Sequence, residues 1–208
     1  MTAPSRNSQR GAVLLVALVM MLLLTLLAIG SMRGVTMETR LTAHRAHDTK
    51  LQNVADAALR EAEFRFYGPG YLVEKLEASA DNCSRSNTLK ANGLNKPCLL
   101  AIDDAHLLTF VDQPQEASDD FLTSESQGGL LWMPYRGTDP ATTTQANTQY
   151  PASWNSILAV ETGNTAVNAE YGMAAEGQGT YFYLNNGKAG DALYLQSTHA
   201  NIYLGLNN

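Results

Sequence analysis

Cys83 and Cys98 are the only cysteines of the chain, and their spacing suggests chemistry more directly than any other pair. None of the four histidines accompanies them, so a metal set is incomplete and a single disulfide is the first reading. Closing a loop of this length is worth about 3 kcal/mol in the chain-entropy account. Two free buried thiols are the alternative. His44 and His47 lie three apart and could share a metal on one helix face, but no third ligand is evident and they read as solvent-facing. Asp103-Asp104 and Asp119-Asp120, with Asp112 and Glu116 between them, could gather a calcium ion if a loop folded them together. They lack the DxDxDG pattern and read as a solvated acidic face that keeps the protein soluble or meets a basic partner. His106 and His199 are isolated, and Ser31 in "GSMRG" is not a nucleophile elbow. There is no GxSxG, HExxH, P-loop or GxGxxG, so neither an enzyme nor a cofactor is expected. Trp132, Tyr135, Tyr150 and Trp154 mark either a contact surface or core.

The elements that must carry these residues begin with the apolar run. Ala12 to Met32 is 21 residues without a charge. As a helix it spans about 32 Å, enough to cross a bilayer's hydrocarbon core. Arg6 and Arg10 precede it, while Arg33, Arg40, Arg45 and Lys50 come after, so flanking charge alone weakly favours the inverted orientation. A long C-terminal domain translocates largely regardless of such charges, and the cysteine pair places the body outside. Ala28-Ile29-Gly30 offers a signal-peptidase alternative with Ser31 as first mature residue. Against it, the apolar core is too long, and the chain beyond Ser31 continues as helix.

From Met37 to Phe66 there is no proline or glycine. Met37, Leu41, Leu51, Ala55, Ala58 and Ala62 form a stripe at spacings of three and four, with His44 and Asp48 filling its gap and Val54 and Leu59 widening it. Arg40, Lys50, Asp56, Arg60, Glu61 and Glu63 lie off that stripe. Gly68-Pro69-Gly70 stops the helix. Span and stem thus read as one helix of more than 50 residues, with Gly30, Ser31 and Gly34 as weak helix formers at the junction.

The charge is uneven. The 208 residues carry a net -6, but residues 1–67 hold eight bases against five acids, and residues 68–208 hold six against fifteen. A body of net -9 with no basic footprint makes nucleic acid an unsuitable partner. Past Pro69 the chain turns to short segments. Residues 71–80 read as a helical piece and 81–98 as a loop held by the cysteines. Strand-like runs cover 130–135, 154–160, 170–174, 180–184, 191–196 and 201–204. A turn-rich link over 185–191 suggests a hairpin, with Tyr181, Tyr183, Leu193 and Leu195 marking strand faces. Residues 136–153 show no period and read as a loop. One long helix packed against an antiparallel β-sheet makes an α+β domain.

Ser8-Gln9-Arg10-Gly11 and then Ala12-Val13-Leu14-Leu15-Val16 resemble the prepilin peptidase site of type IV pilins. The resemblance implies the type IV pilin fold, cleavage after Gly11 and N-methylation of Ala12. It divides the chain into a leader (1–11), a transmembrane and polymerisation half-helix (12–32), an amphipathic half-helix (33–67) and an extracytoplasmic globular domain (68–208). Two positions depart from the family pattern: the first mature residue is Ala12 rather than Phe or Met, and the fifth is Val16 rather than Glu. In filament pilins that glutamate pairs with a neighbour's terminal amine. A buried carboxylate without a partner is costly, so an apolar residue suits a subunit at a filament's end. "QRGAVLLVALVMMLLLTLLAIGSM", "TMETRLTAH", "LQNVADAALREAE" and "ALYLQSTHA" further resemble the Pseudomonas-type PilX group of minor pilins. That likeness implies a role in starting pilus assembly near the tip, with twitching motility and adhesion. The implied partners are the other minor pilins, the major pilin, a PilY-type tip adhesin, the prepilin peptidase and, before assembly, the inner membrane. A type II secretion pseudopilin and a membrane-anchored periplasmic enzyme or receptor are the alternatives.

Overall fold

The computed structural model describes residues 10–66, 76–88, 95–123, 128–137, 150–159 and 179–203. Its elements are α1 (Arg10–Phe64), β1 (Leu99–Leu100), α2 (Asp104–Asp112), β2 (Met133–Pro134), β3 (Ala152–Leu158), β4 (Gly179–Ala189) and β5 (Leu193–Tyr203), with short 3-10 turns at Ala80–Asn82, Pro114–Glu116 and Asp119–Phe121. Two compact units divide it, Met1–Thr49 and Lys50–Asn208.

In the second unit, β3 is the middle of a mixed sheet of order β1-β3-β4-β5. One edge of β3 pairs antiparallel with β4, from Ala152↔Ala189 to Leu158↔Tyr183. Its other edge is shared by two short strands: β2 antiparallel at Met133↔Trp154, and β1 parallel at Leu99↔Ser156. The sheet is therefore not purely antiparallel as the sequence suggested. The parallel pair arises because β1 enters directly from the disulfide loop rather than through a hairpin. β4 and β5 form a long hairpin, Gly179↔Tyr203 to Ala189↔Leu193. It turns at Gly190, whose φ of 54° suits a residue without a side chain.

The helix from Lys50 to Phe64 lies on one sheet face. Leu51, Ala55, Ala58, Leu59 and Ala62 are buried there, facing Trp154, Tyr181, Tyr183 and Ala189 in the core. Alanines on the helix and Gly187 on β4 allow a close approach. A Cβ at Gly187 would stand 2.5 Å from the Ala55 carbonyl oxygen and 2.7 Å from the Leu59 nitrogen. α2 buries Leu107 and Phe110 in the cluster that also holds Leu100 and Ile157, and Gln196 Nε2 on β5 donates to the Val111 carbonyl of α2 at 2.9 Å.

Several sequence expectations change. Residues 185–189 are strand, not link, and the turn is Gly190–Ala192. Asparagines that signal turns when solvated are bonded here across strands: Ser156 Oγ donates to Asn185 Oδ1 at 2.6 Å and Asn186 Nδ2 to Asn155 Oδ1 at 2.9 Å. Residues 193–196 and 201–203 of the two expected runs belong to the single strand β5. Of 130–135, only Met133–Pro134 is strand; β3 starts at Ala152, inside the expected loop. The helix α2 was not anticipated; Asp103 caps it, accepting from the Ala105 amide at 3.4 Å. Residues 76–79 are not helical. The expected strand at 170–174, the Gly68-Pro69-Gly70 stop and residues 71–75 of the expected helix at 71–80 lie outside the described residues.

Candidate assembly helix and its loop anchors

The first unit offers one broad surface. From Ala12 to Lys50 every residue of α1 is exposed, including Val13, Leu14, Val16, Met21, Leu27 and Ile29. Met37 and Leu41, expected to begin the packing stripe, are also exposed; burial starts at Leu51, where the sheet lies beneath the helix. The hydroxyls of Thr25, Ser31, Thr36, Thr39 and Thr42 each donate to a carbonyl three or four residues back. Polar groups closed on their own backbone ask nothing of the surroundings, as an apolar medium requires. Among the described residues this is the one helix long and apolar enough to cross a membrane. The bond between Gly11 and Ala12 falls in its first turn, where amides lack intrahelical acceptors and unwinding costs least.

The second unit fixes two loops to α1 through Glu61 and Arg65, both fully buried. Glu61 Oε2 accepts from the amides of Arg136 and Gly137 at 2.7 and 2.9 Å, while Oε1 lies 3.3 Å from Arg65 Nη2. Arg65 donates onward to Asn87 and Lys96 in the disulfide loop, and its guanidinium lies 5.0 Å above the Trp154 ring. Glu61 was placed off the packing stripe from sequence. The structure corrects this: its carboxylate is buried because backbone amides and an arginine satisfy every side of it.

Residues 10–60 match the family model described as PilX N-terminal. The N-terminal segment of this chain belongs to the PilX N-terminal family. No curated protein and no solved structure matched the chain. The match covers the exposed helix and most of the stretch that docks on the sheet, and with it the α+β layout is pilin-like. A PilX-type N-terminus supports a type IV pilus minor pilin, and its long apolar helix fits a membrane-anchored one. In this PilX-type helix, Val16 is 57% exposed among other apolar side chains. Of Gly11 the structure describes only the backbone, as the second residue of α1.

Cys83 and Cys98 are joined by a disulfide and fully buried. The acidic residues do not converge: Asp103 serves as a cap, and Asp104, Asp112, Glu116, Asp119 and Asp120 are exposed. Among the described residues no three His, Cys, Asp or Glu side chains are grouped to hold a metal. His106 stacks on Phe121 with Nδ1 3.4 Å from Asp103 Oδ2, and His199 contacts Asn201 and the Phe66 ring. His44 and His47 are exposed on α1.

The four aromatic candidates separate. Trp154 is core, Tyr135 and Tyr150 are half-buried, and half-buried Trp132 belongs to a surface cluster. There Lys188 Nζ lies 4.7 Å above the Trp132 ring and 3.1 Å from Asp191 Oδ1, which also accepts from the Tyr194 hydroxyl. The hydrogen bond and charge of Lys188 hold the Asp191 carboxyl below its ordinary value. Burial, with the nearby Asp191 charge, pushes the Tyr194 hydroxyl up. Sequence reasoning missed Glu61 and Arg65 as a pair. Their i, i+4 spacing was visible, but on a helix that spacing usually marks an exposed ion pair.

Proposed function

We propose that this chain is a minor pilin that helps initiate type IV pilus assembly, at or near the pilus tip, and so supports twitching motility and adhesion. The observation that carries the reading is the PilX N-terminal match over a helix whose apolar half is exposed on every side. Such a helix is first held in the inner membrane, with the globular unit in the periplasm. It then exchanges lipid for the apolar helices of neighbouring subunits in the filament, so that its surface stays dehydrated throughout. Prepilin peptidase would cut after Gly11, and the freed amine of Ala12 would be methylated. With Val16 in place of a carboxylate, the helix has no group to neutralise a terminal amine above it, which suits the first subunit of a filament. The major pilin, the other minor pilins and a PilY-type adhesin are the expected partners. The role is structural rather than catalytic.

Mass spectrometry of the mature N-terminus tests the processing: methylated Ala12 is expected, and Ser31 or Met1 as first residue would overturn it. Deleting the gene should abolish surface pili and twitching. Normal pili with defective protein secretion would instead favour a type II secretion pseudopilin. A Gly11→Val variant should remain uncleaved in the membrane.

A further inference from the structure

Cys83 and Cys98 are anchored independently of the bond between them. The Cys83 amide donates to the Ala80 carbonyl at 2.9 Å, and its own carbonyl accepts from Leu130 at 2.6 Å. The Cys98 carbonyl accepts from the Ser156 amide at 3.1 Å, which ties it to β3. Two side chains then stitch the arms of the loop together. Asn87 Nδ2 donates to the Asn82 carbonyl at 2.6 Å on one arm and to the Lys96 carbonyl at 3.0 Å on the other. Arg65 grips both arms from α1: Nη1 donates to Asn87 Oδ1 at 2.7 Å and to the Lys96 carbonyl at 3.4 Å, and Nη2 to the Asn87 carbonyl at 3.1 Å. Glu61, buried beside it, fixes the guanidinium.

We propose that Arg65 is a positioning residue for disulfide formation: it gathers the loop around its guanidinium, so that the two thiols face each other before they are joined. The planar fork explains why arginine stands here, since it binds several acceptors in fixed directions where an ammonium would act as a point charge. The step served is a thiol–disulfide exchange with an external disulfide. One cysteine thiolate attacks that disulfide, forming a mixed disulfide and releasing one thiol. The second cysteine thiolate attacks the protein sulfur of the mixed disulfide and expels the second thiol. The protein loses two electrons and two protons, and the external disulfide leaves as two thiols. Arg65 exchanges neither; it raises the effective concentration of one cysteine against the other.

The test equilibrates the full-length chain, in detergent, with graded ratios of reduced and oxidised glutathione. Equilibrium is approached from both the reduced and the oxidised protein, because both sulfurs are buried. Thiols are counted by alkylation and mass, and near-UV circular dichroism checks that each form is folded. Arg65→Lys keeps a charge opposite Glu61 but loses the fork, and Asn87→Ala removes the stitch between the arms. Each should lower the effective concentration about tenfold or more, moving the potential about 30 mV or more toward oxidising values. Asp103→Ala, which weakens the cap of α2 away from the loop, should leave the potential unchanged. Potentials equal to wild type in Arg65→Lys and Asn87→Ala would overturn the proposal. So would an equal shift in all three variants, which would make Arg65 a general stabiliser. If Arg65→Lys does not fold, Asn87→Ala decides.

Discussion

Replacing Gly187 by alanine adds one methyl group at the closest approach of α1 and β4. The added carbon would stand 2.5 Å from the Ala55 carbonyl oxygen, 2.7 Å from the Leu59 nitrogen and 2.8 Å from Leu59 Cβ. Two of these neighbours are helix backbone, which no rotamer change can move aside. Either α1 lifts from the sheet or β4 bends, and both separate the alanine face from Tyr183, Trp154 and Ala189. Overpacking of this kind costs typically about 1–3 kcal/mol, and backbone neighbours place Gly187→Ala at the upper end. For a body of this size, about 3 kcal/mol corresponds to a fall in Tm of roughly 6–12 °C. Thermal unfolding of the full-length chain in detergent, monitored by near-UV circular dichroism, reads it. Leu59→Ala retains Cβ and the backbone, so combining it with Gly187→Ala should not restore the Tm. A Gly187→Ala variant as stable as wild type, or a rescue by Leu59→Ala, would refute the close approach as the cause.

Glu61→Ala leaves Arg65 as an uncompensated buried charge and two amides without an acceptor, and should cost about 3–5 kcal/mol in urea unfolding. The exposed pair Asp56–Arg60 is the comparison; Asp56→Ala should cost less than about 1 kcal/mol in the same assay. Asp103→Ala should cost about 0.5–1 kcal/mol through loss of the α2 cap, read as a small fall in Tm. Asp191→Asn tests a pH dependence. The folded-state pKa of Asp191 lies below its ordinary 3.8, so its contribution is fully present above that value and disappears as pH falls through the lower folded one. Wild type should therefore be slightly more stable than Asp191→Asn at about pH 7, and the difference should vanish on acidification. A difference that grows on acidification would contradict the sign.

Much of the first unit was legible in the sequence because its structure is local. An uncharged run of 21 residues and then a proline-free stretch leave little but a helix, and the hydroxyls of Thr25, Ser31, Thr36, Thr39 and Thr42 close on carbonyls one turn away. The hairpin was legible too, since alternation placed Tyr181, Tyr183, Leu193 and Leu195 on common faces. Its turn was misplaced, because Asn185 and Asn186 look like turn residues until Ser156 and Asn155 are set beside them. The parallel strand β1 is two residues long and carries no period of its own.

By itself, then, the sequence determined a long helix with an apolar half, a cysteine pair 15 positions apart and a body of alternating strands. These are properties of neighbours along the chain. Only the tertiary structure decided where the helix stops being a free surface and becomes core, at Leu51, and which of its charges go inside. Glu61 is buried because amides 75 and 76 positions later come to it, and Arg65 because a loop 22 to 31 positions away folds around it. A charged group enters the interior only when its partners arrive with it, and partners that far along the chain leave no mark in the local pattern.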